Sequence, residues 1–150
     1  MSIRWRYSFK VDWWAGALFL AVMIPNILWM LWPPSDDPLH VESQTPVMDG
    51  IASVAQVLMI AALLLLRRDT APSPMTRAWR LVTWDCMLLY LLFWMMYFCG
   101  FYTTAGIITM ATLPCLSFAA YALGRNNWIA LGCIAVFFLC HLTFAIVNFC

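Results

Sequence analysis

The chain has 150 residues, 65% of them hydrophobic, with only eight Lys and Arg and seven Asp and Glu. A soluble domain of this length carries far more charge, and a surface this apolar needs lipid as its solvent. A net charge of +1 offers no electrostatic case for nucleic acid, and the polar stretches are too short to make a second folded domain.

The chain opens on Arg4, Arg6 and Lys10 interleaved with Trp5, Tyr7 and Phe9, a composition that suits an arm lying on an anionic leaflet. The apolar run 13–32 comes next. It is longer than a signal-peptide core and ends in Trp32-Pro33-Pro34 rather than a small-residue cleavage site, so it reads as a retained first span. A polar, acidic segment, 33–46, leads to a second span at 47–66. After the Arg-rich segment holding Arg67, Arg68, Arg77 and Arg80, further spans are expected at 81–100, 105–123 and 128–149. Each run is about 20 residues, the length that crosses the hydrocarbon layer. The last two links are so short that the helices they join must be antiparallel neighbours. The predicted fold is an all-α bundle of five transmembrane helices in one integral membrane domain, 1–150. A four-span alternative, with 81–123 folded differently, conflicts with the break at Gly100 and with the run lengths.

Basic residues stay on the cytoplasmic side during insertion. Lys and Arg occupy only the N-terminal arm, the 67–80 segment and the turn at Arg125, whereas Asp36, Asp37 and Glu42 lie in the loops of the other side. The expected orientation is therefore N-terminus cytoplasmic and C-terminus outside, in a cell membrane. Trp13, Trp14, Trp32, Trp79 and Trp128 fall at span ends, as an interfacial aromatic belt requires.

Polar groups inside a span are costly and are functional suspects. Asn26 and His141 each lie 13 residues from the start of their span, roughly 20 Å deep at 1.5 Å per residue. Gln56, entering from the opposite side, comes to about the same level. Asp49, Ser53 and Gln56 are spaced i, i+4, i+7 and share one face; His141 and Asn148 share another. Pro25 removes a backbone donor beside Asn26, and Pro114 does so in span four. The expected ligand-binding cluster is Asn26, Asp49, Ser53, Gln56, His141 and Asn148, with Tyr90, Trp94 and Tyr97 as an aromatic wall. An Asp49–His141 pair is its sharpest feature, since a His near a carboxylate can hold or pass a proton near neutral pH. The competing reading is structural, because Asn, Gln and His in membrane bundles often only hydrogen-bond between helices. Asp85 is expected to pair with Arg80 or Arg125, and Asp12 and Asp69 to need no role.

The six cysteines contain no C-x-x-C pair, which argues against zinc and thioredoxin-like chemistry. Cys99 and Cys150 both fall near the outer face and are a disulfide candidate. The ten methionines read as core fillers, and a single intramembrane His argues against haem or another metal, so no cofactor is expected. Asp36, Asp37, His40 and Glu42 read as a solvated acidic loop. No internal repeat supports an inverted-repeat transporter.

Five spans with many Trp give a similarity of shape to the tryptophan-rich sensory protein (translocator protein) family. That family's first-loop motif is not matched by Trp29-Met30-Leu31-Trp32-Pro33-Pro34. The residues Pro25-Asn26-Ile27, Asp49 opening span two, Leu113-Pro114, and Cys140-His141 followed by Asn148 resemble small multi-pass bacterial membrane proteins of uncharacterised function. That resemblance implies a bacterial cytoplasmic membrane protein and supplies no activity. Where those proteins tend to carry an Arg shortly after the acidic residue of span two, this chain has Ser53. Three functional readings follow. The first is binding or transport of a small, partly apolar molecule entering from outside. The second is a structural or regulatory subunit, with a membrane protein partner or a second copy of itself. The third is an intramembrane enzyme using His141 and Asp49, for which no nucleophile or metal constellation is present.

Overall fold

A computed structural model describes residues 6–69, 71 and 74–149. Five helices carry the chain: α1 Trp13–Leu31, α2 Pro46–Leu65, α3 Arg77–Phe98, α4 Thr104–Gly124 and α5 Trp128–Phe149. All five are long and apolar enough to cross a membrane, so this is a multi-pass, all-α integral membrane protein. The bounds follow the apolar runs closely except at α3. That helix starts at Arg77, four residues before the run at Leu81, because a helix can extend past the lipid boundary while its first turn carries charge. Trp13, Trp14, Trp32, Trp79 and Trp128 are all exposed at helix ends, as an interfacial belt requires.

The helices alternate in direction, which gives the bundle a basic end and an acidic end. α2 packs chiefly on α5, α5 on α4, and α4 on α3, while α1 makes few close contacts and bridges α2 and α3. α4 lies inside this arc and is buried on most of its surface. Between α3 and α4, Ser117 Oγ donates to the Thr83 carbonyl at 2.7 Å, and Thr83 Oγ1 donates back to the Trp79 carbonyl at 2.8 Å. These contacts satisfy two hydroxyls that lipid could not.

The short links have specific chemistry. α3 ends where Gly100 adopts a positive φ of 82°, with Phe101 N donating to the Met96 carbonyl at 2.9 Å, the glycine-terminated helix end. α4 ends at Asn126, whose φ is 54°, a conformation that Asn tolerates better than most residues. Asn127 then caps α5: its Oδ1 accepts from Ala130 N at 3.1 Å. Its Nδ2 donates to the carbonyls of Ala62 and Leu66, both at 2.9 Å, which ties the start of α5 to the end of α2.

The basic end departs from expectation in three places. The arm does not lie free, because Tyr7–Phe9 (β1) pairs antiparallel with Leu66–Arg68 (β2), Ser8 opposite Arg67. Lys10 N and Asp12 N continue the ladder to the carbonyls of Leu65 and Leu64 at 3.0 and 2.9 Å. Asp12 is not a bystander. It caps α1 by accepting from Trp14 N at 3.1 Å, receives the Tyr121 hydroxyl at 2.7 Å, and pairs with Arg125 at 3.0 Å. Arg125 is thereby committed to Asp12, and Asp85 faces outward from α3 without pairing to either Arg80 or Arg125. The Cys99–Cys150 disulfide falls on Cys150, outside the described residues.

Candidate functional site

α1 stands away from the arc because a cavity of about 460 Å³ separates them. All five helices line it. α1 contributes Phe19, Val22, Met23, Asn26 and Trp29, and α2 contributes Asp49, Ala52, Ser53, Gln56 and Met59. Asp49, Ser53 and Gln56 arrive there on one stripe, as their spacing requires. Seven of the nine expected site residues line the space: Asn26, Asp49, Ser53, Gln56, Tyr90, Trp94 and His141.

The other two do not. Tyr97 is fully buried beyond the cavity, its hydroxyl donating to Asp37 Oδ1. Asn148 is spent at the acidic end: its Oδ1 accepts from Gln44 N at 3.0 Å and its Nδ2 donates to the Phe144 carbonyl at 2.9 Å. The aromatic stripe of α3 is real, with Trp94 edge-on to both Tyr90 and Tyr97 at centroid distances of 6.4 and 5.4 Å. Its far end serves the loop rather than the cavity.

The lining polar groups fall into two sets. One set is internally satisfied. Pro25 has no N–H to give, and beside it Asn26 Nδ2 donates to the Val22 carbonyl at 2.7 Å and to the Tyr90 hydroxyl at 2.8 Å. Tyr90 in turn donates to the same carbonyl at 3.1 Å, so this triad fastens the middle of α1 to α3. Ser53 Oγ donates to the Asp49 carbonyl at 2.8 Å. The other set is unsatisfied. Trp94 is 5% exposed, and its Nε1 lies near the Tyr90 hydroxyl but makes no well-aligned hydrogen bond. Gln56 and His141 make no hydrogen bond within the described residues; His141 is held only by ring stacking, 5.0 Å from Phe137 and 6.4 Å from Phe144. Asp49 is the charged neighbour of His141, but the two form neither an ion pair nor a hydrogen bond. Among the described residues no three His, Cys, Asp or Glu side chains gather closely enough to share an ion.

A strap closes the acidic end, and sequence reasoning missed it. Asp37 is a hub: Trp29 Nε1 donates to its Oδ2 and Leu39 N to its Oδ1, both at 3.0 Å, and Tyr97 donates to Oδ1. Tyr102 donates to Asp36 Oδ2 at 2.6 Å; the hydrogen bond to that carboxylate pushes the phenol above its usual pKa. Half-buried Asp37 is thus an anchor rather than a member of a solvated loop; Asp36 holds Tyr102 but is exposed, as are His40 and Glu42. Leu39, which the strap carries inward, joins the cavity wall. The available signal was the excess of Tyr and Trp hydrogen-bond donors near that end, which must find acceptors when buried. The chain matches no protein-family model, no curated protein and no solved structure, and its function is read from this geometry alone.

Proposed function

We propose that this protein binds or transports a small, partly apolar molecule in the cavity between its five helices. The observation that supports this most is the unsatisfied set. Trp94 Nε1, the Gln56 amide and the His141 ring border a space of about 460 Å³, within the range of small-molecule sites. Buried polar groups ordinarily find partners, so an unpaired donor beside a cavity marks a place for a ligand's acceptor. Asp49, Ser53 and Asn26 complete the polar wall. A structural subunit without a ligand is the second reading, supported by the Asn26–Tyr90–Val22 bonds, which lock α1 to α3, and the Asn148–Gln44 bond, which ties α5 to the strap.

Asp49, Trp29 and Leu39 set one end of the site at the acidic end of the bundle, beneath the strap. The described basic residues Arg6, Lys10, Arg67, Arg68, Arg77, Arg80 and Arg125 gather at the opposite end, which supports a cytoplasmic N-terminus and entry of the ligand from outside. The resemblance noted above sets the protein in a bacterial cytoplasmic membrane.

Binding is tested on protein in phosphatidylcholine nanodiscs, with thermal unfolding followed against arylalkyl amines, amides and alcohols. Compounds that fit raise the melting temperature by mass action, and Ala111→Phe, which pushes a ring into the cavity, removes the effect. Unchanged melting across the panel favours the structural reading. For orientation, Ser43→Cys in a cysteine-free background reacts with an impermeant maleimide outside the cell and Thr76→Cys does not; the reverse pattern rejects it.

A further inference from the structure

We propose that the ligand is an organic amine whose ammonium group sits against Asp49 while its apolar body reaches inward past Gln56. This inference rests on the binding reading above and narrows it to one chemical class.

Charge selects the class. Of the side chains lining the cavity, Asp49 alone is a carboxylate, and no Lys or Arg is among them. Among the described residues the single ion pair is Asp12–Arg125. The Asp49 carboxylate has no cation of its own and only a long contact from Thr45 Oγ1, at 3.4 Å. Its place in the first turn of α2 suits a negative charge, because the helix N-terminus carries the positive end of the dipole. His141 does not supply the missing counter-charge, since its ring stacks between Phe137 and Phe144 and donates nothing to Asp49. A carboxylate in a membrane site without a partner calls for a cation from the ligand.

The walls agree with the charge. Trp29, Phe144 and Phe149 line the cavity at the same end as Asp49, and their π faces attract an ammonium group. Further in, the lining turns apolar, with Met59, Met110, Pro114, Phe118 and Phe137. Ten residues separate Asp49 from Met59, so the polar-to-apolar axis is about 15 Å long at helical rise. Partway along it, Trp94 Nε1 and Gln56 offer a donor to an ether or carbonyl on the body. An anionic ligand would meet Asp49 with no cation to offset it.

The test compares three probes of one shape, 4-phenylbutylamine, 4-phenylbutan-1-ol and 4-phenylbutanoate, titrated into the full chain in zwitterionic phosphatidylcholine nanodiscs. The amine is expected to bind about tenfold tighter than the alcohol, with the carboxylate weakest. Asp49→Asn brings the amine down to the level of the alcohol, and Asp49→Glu restores the preference. Equal binding of amine and alcohol, or a preference that survives Asp49→Asn, overturns the amine assignment. The cavity reading stands in that case, because alcohol binding is still lost in Ala111→Phe. If none of the three probes binds, both inferences fall together.

Discussion

Asp12 and Asp49 each stand at the start of a helix, at opposite ends of the bundle, and differ in almost everything else. Asp12 caps α1, pairs with Arg125 and accepts the Tyr121 hydroxyl. Around it the N-terminal ladder, Asn127 and the turn after α4 leave little free space. Asp49 has a single long contact from Thr45 Oγ1 and faces the cavity. A charge at a membrane boundary with a full set of partners is serving the fold. A charge with an empty side is the one the proposed ligand would use.

The largest effect is expected where that contrast is attacked at its satisfied pole. Asp12→Ala removes the α1 cap and the ion pair to Arg125, whose side chain is 14% exposed and keeps its contacts with Tyr121. The cost is about 3 kcal/mol, a lost N-cap together with a broken, largely buried pair, read as a shift in unfolding by denaturing detergent. Asp12→Asn keeps the cap and recovers part of the loss. Asn127→Ala is next. It removes three hydrogen bonds, to Ala62, Leu66 and Ala130, and with them the cap of α5, while the Ala62 carbonyl keeps the Leu66 N–H; the cost is about 2 kcal/mol. If either variant melts like the wild type, the basic end is not the clamp described here.

Much of this contrast was legible in the chain and some was not, for physical reasons. Helix lengths, the inward stripe Asp49–Ser53–Gln56 and the shared depth of Asn26 and His141 follow from hydropathy and the 3.6-residue period, both local properties. The β1–β2 ladder also had a local signal, the strict alternation of polar and apolar residues from Arg6 to Asp12 (Arg-Tyr-Ser-Phe-Lys-Val-Asp), which has the period of a strand. An amphipathic, basic arm lying on a membrane satisfies the same composition, so the period was the discriminating feature. The choice of Asp12 over Asp85 as the partner of Arg125 had no local signal. It depends on which helix ends meet, and the basic end of the bundle offers several carboxylates at one level. Asp37 was hidden in the same way: its acceptor role depends on Tyr97 and Trp29 converging from two different helices.

A smaller effect is expected at the strap, between the two poles. Tyr97→Phe removes one of the three donors to Asp37 and leaves the ring packing on Trp94 in place. Global stability falls by about 1 kcal/mol. The readout that matters is local: amide hydrogen exchange over 35–45 accelerates while exchange in α2 and α5 does not. Uniform acceleration would mean that Tyr97 supports the whole bundle rather than the strap.

The smallest effect on stability belongs to Asp49. Removing a charge that has a full set of partners costs stability, but removing one that has none costs little and can return the free energy spent on desolvating it. Asp49 keeps some benefit from the α2 N-terminus, typically a few tenths of a kcal/mol to about 1 kcal/mol, which Asn forfeits while remaining a tolerable residue in a first turn. The two terms nearly cancel, so Asp49→Asn is expected to unfold within about 0.5 kcal/mol of the wild type, on the order of a substitution away from any critical contact. Measured beside Asp12→Asn under the same conditions, this near-neutral result separates a carboxylate that holds the fold from one that does not. A loss at Asp49 equal to that at Asp12 would mean that Asp49 has a partner within the protein, and the contrast between the two ends would collapse.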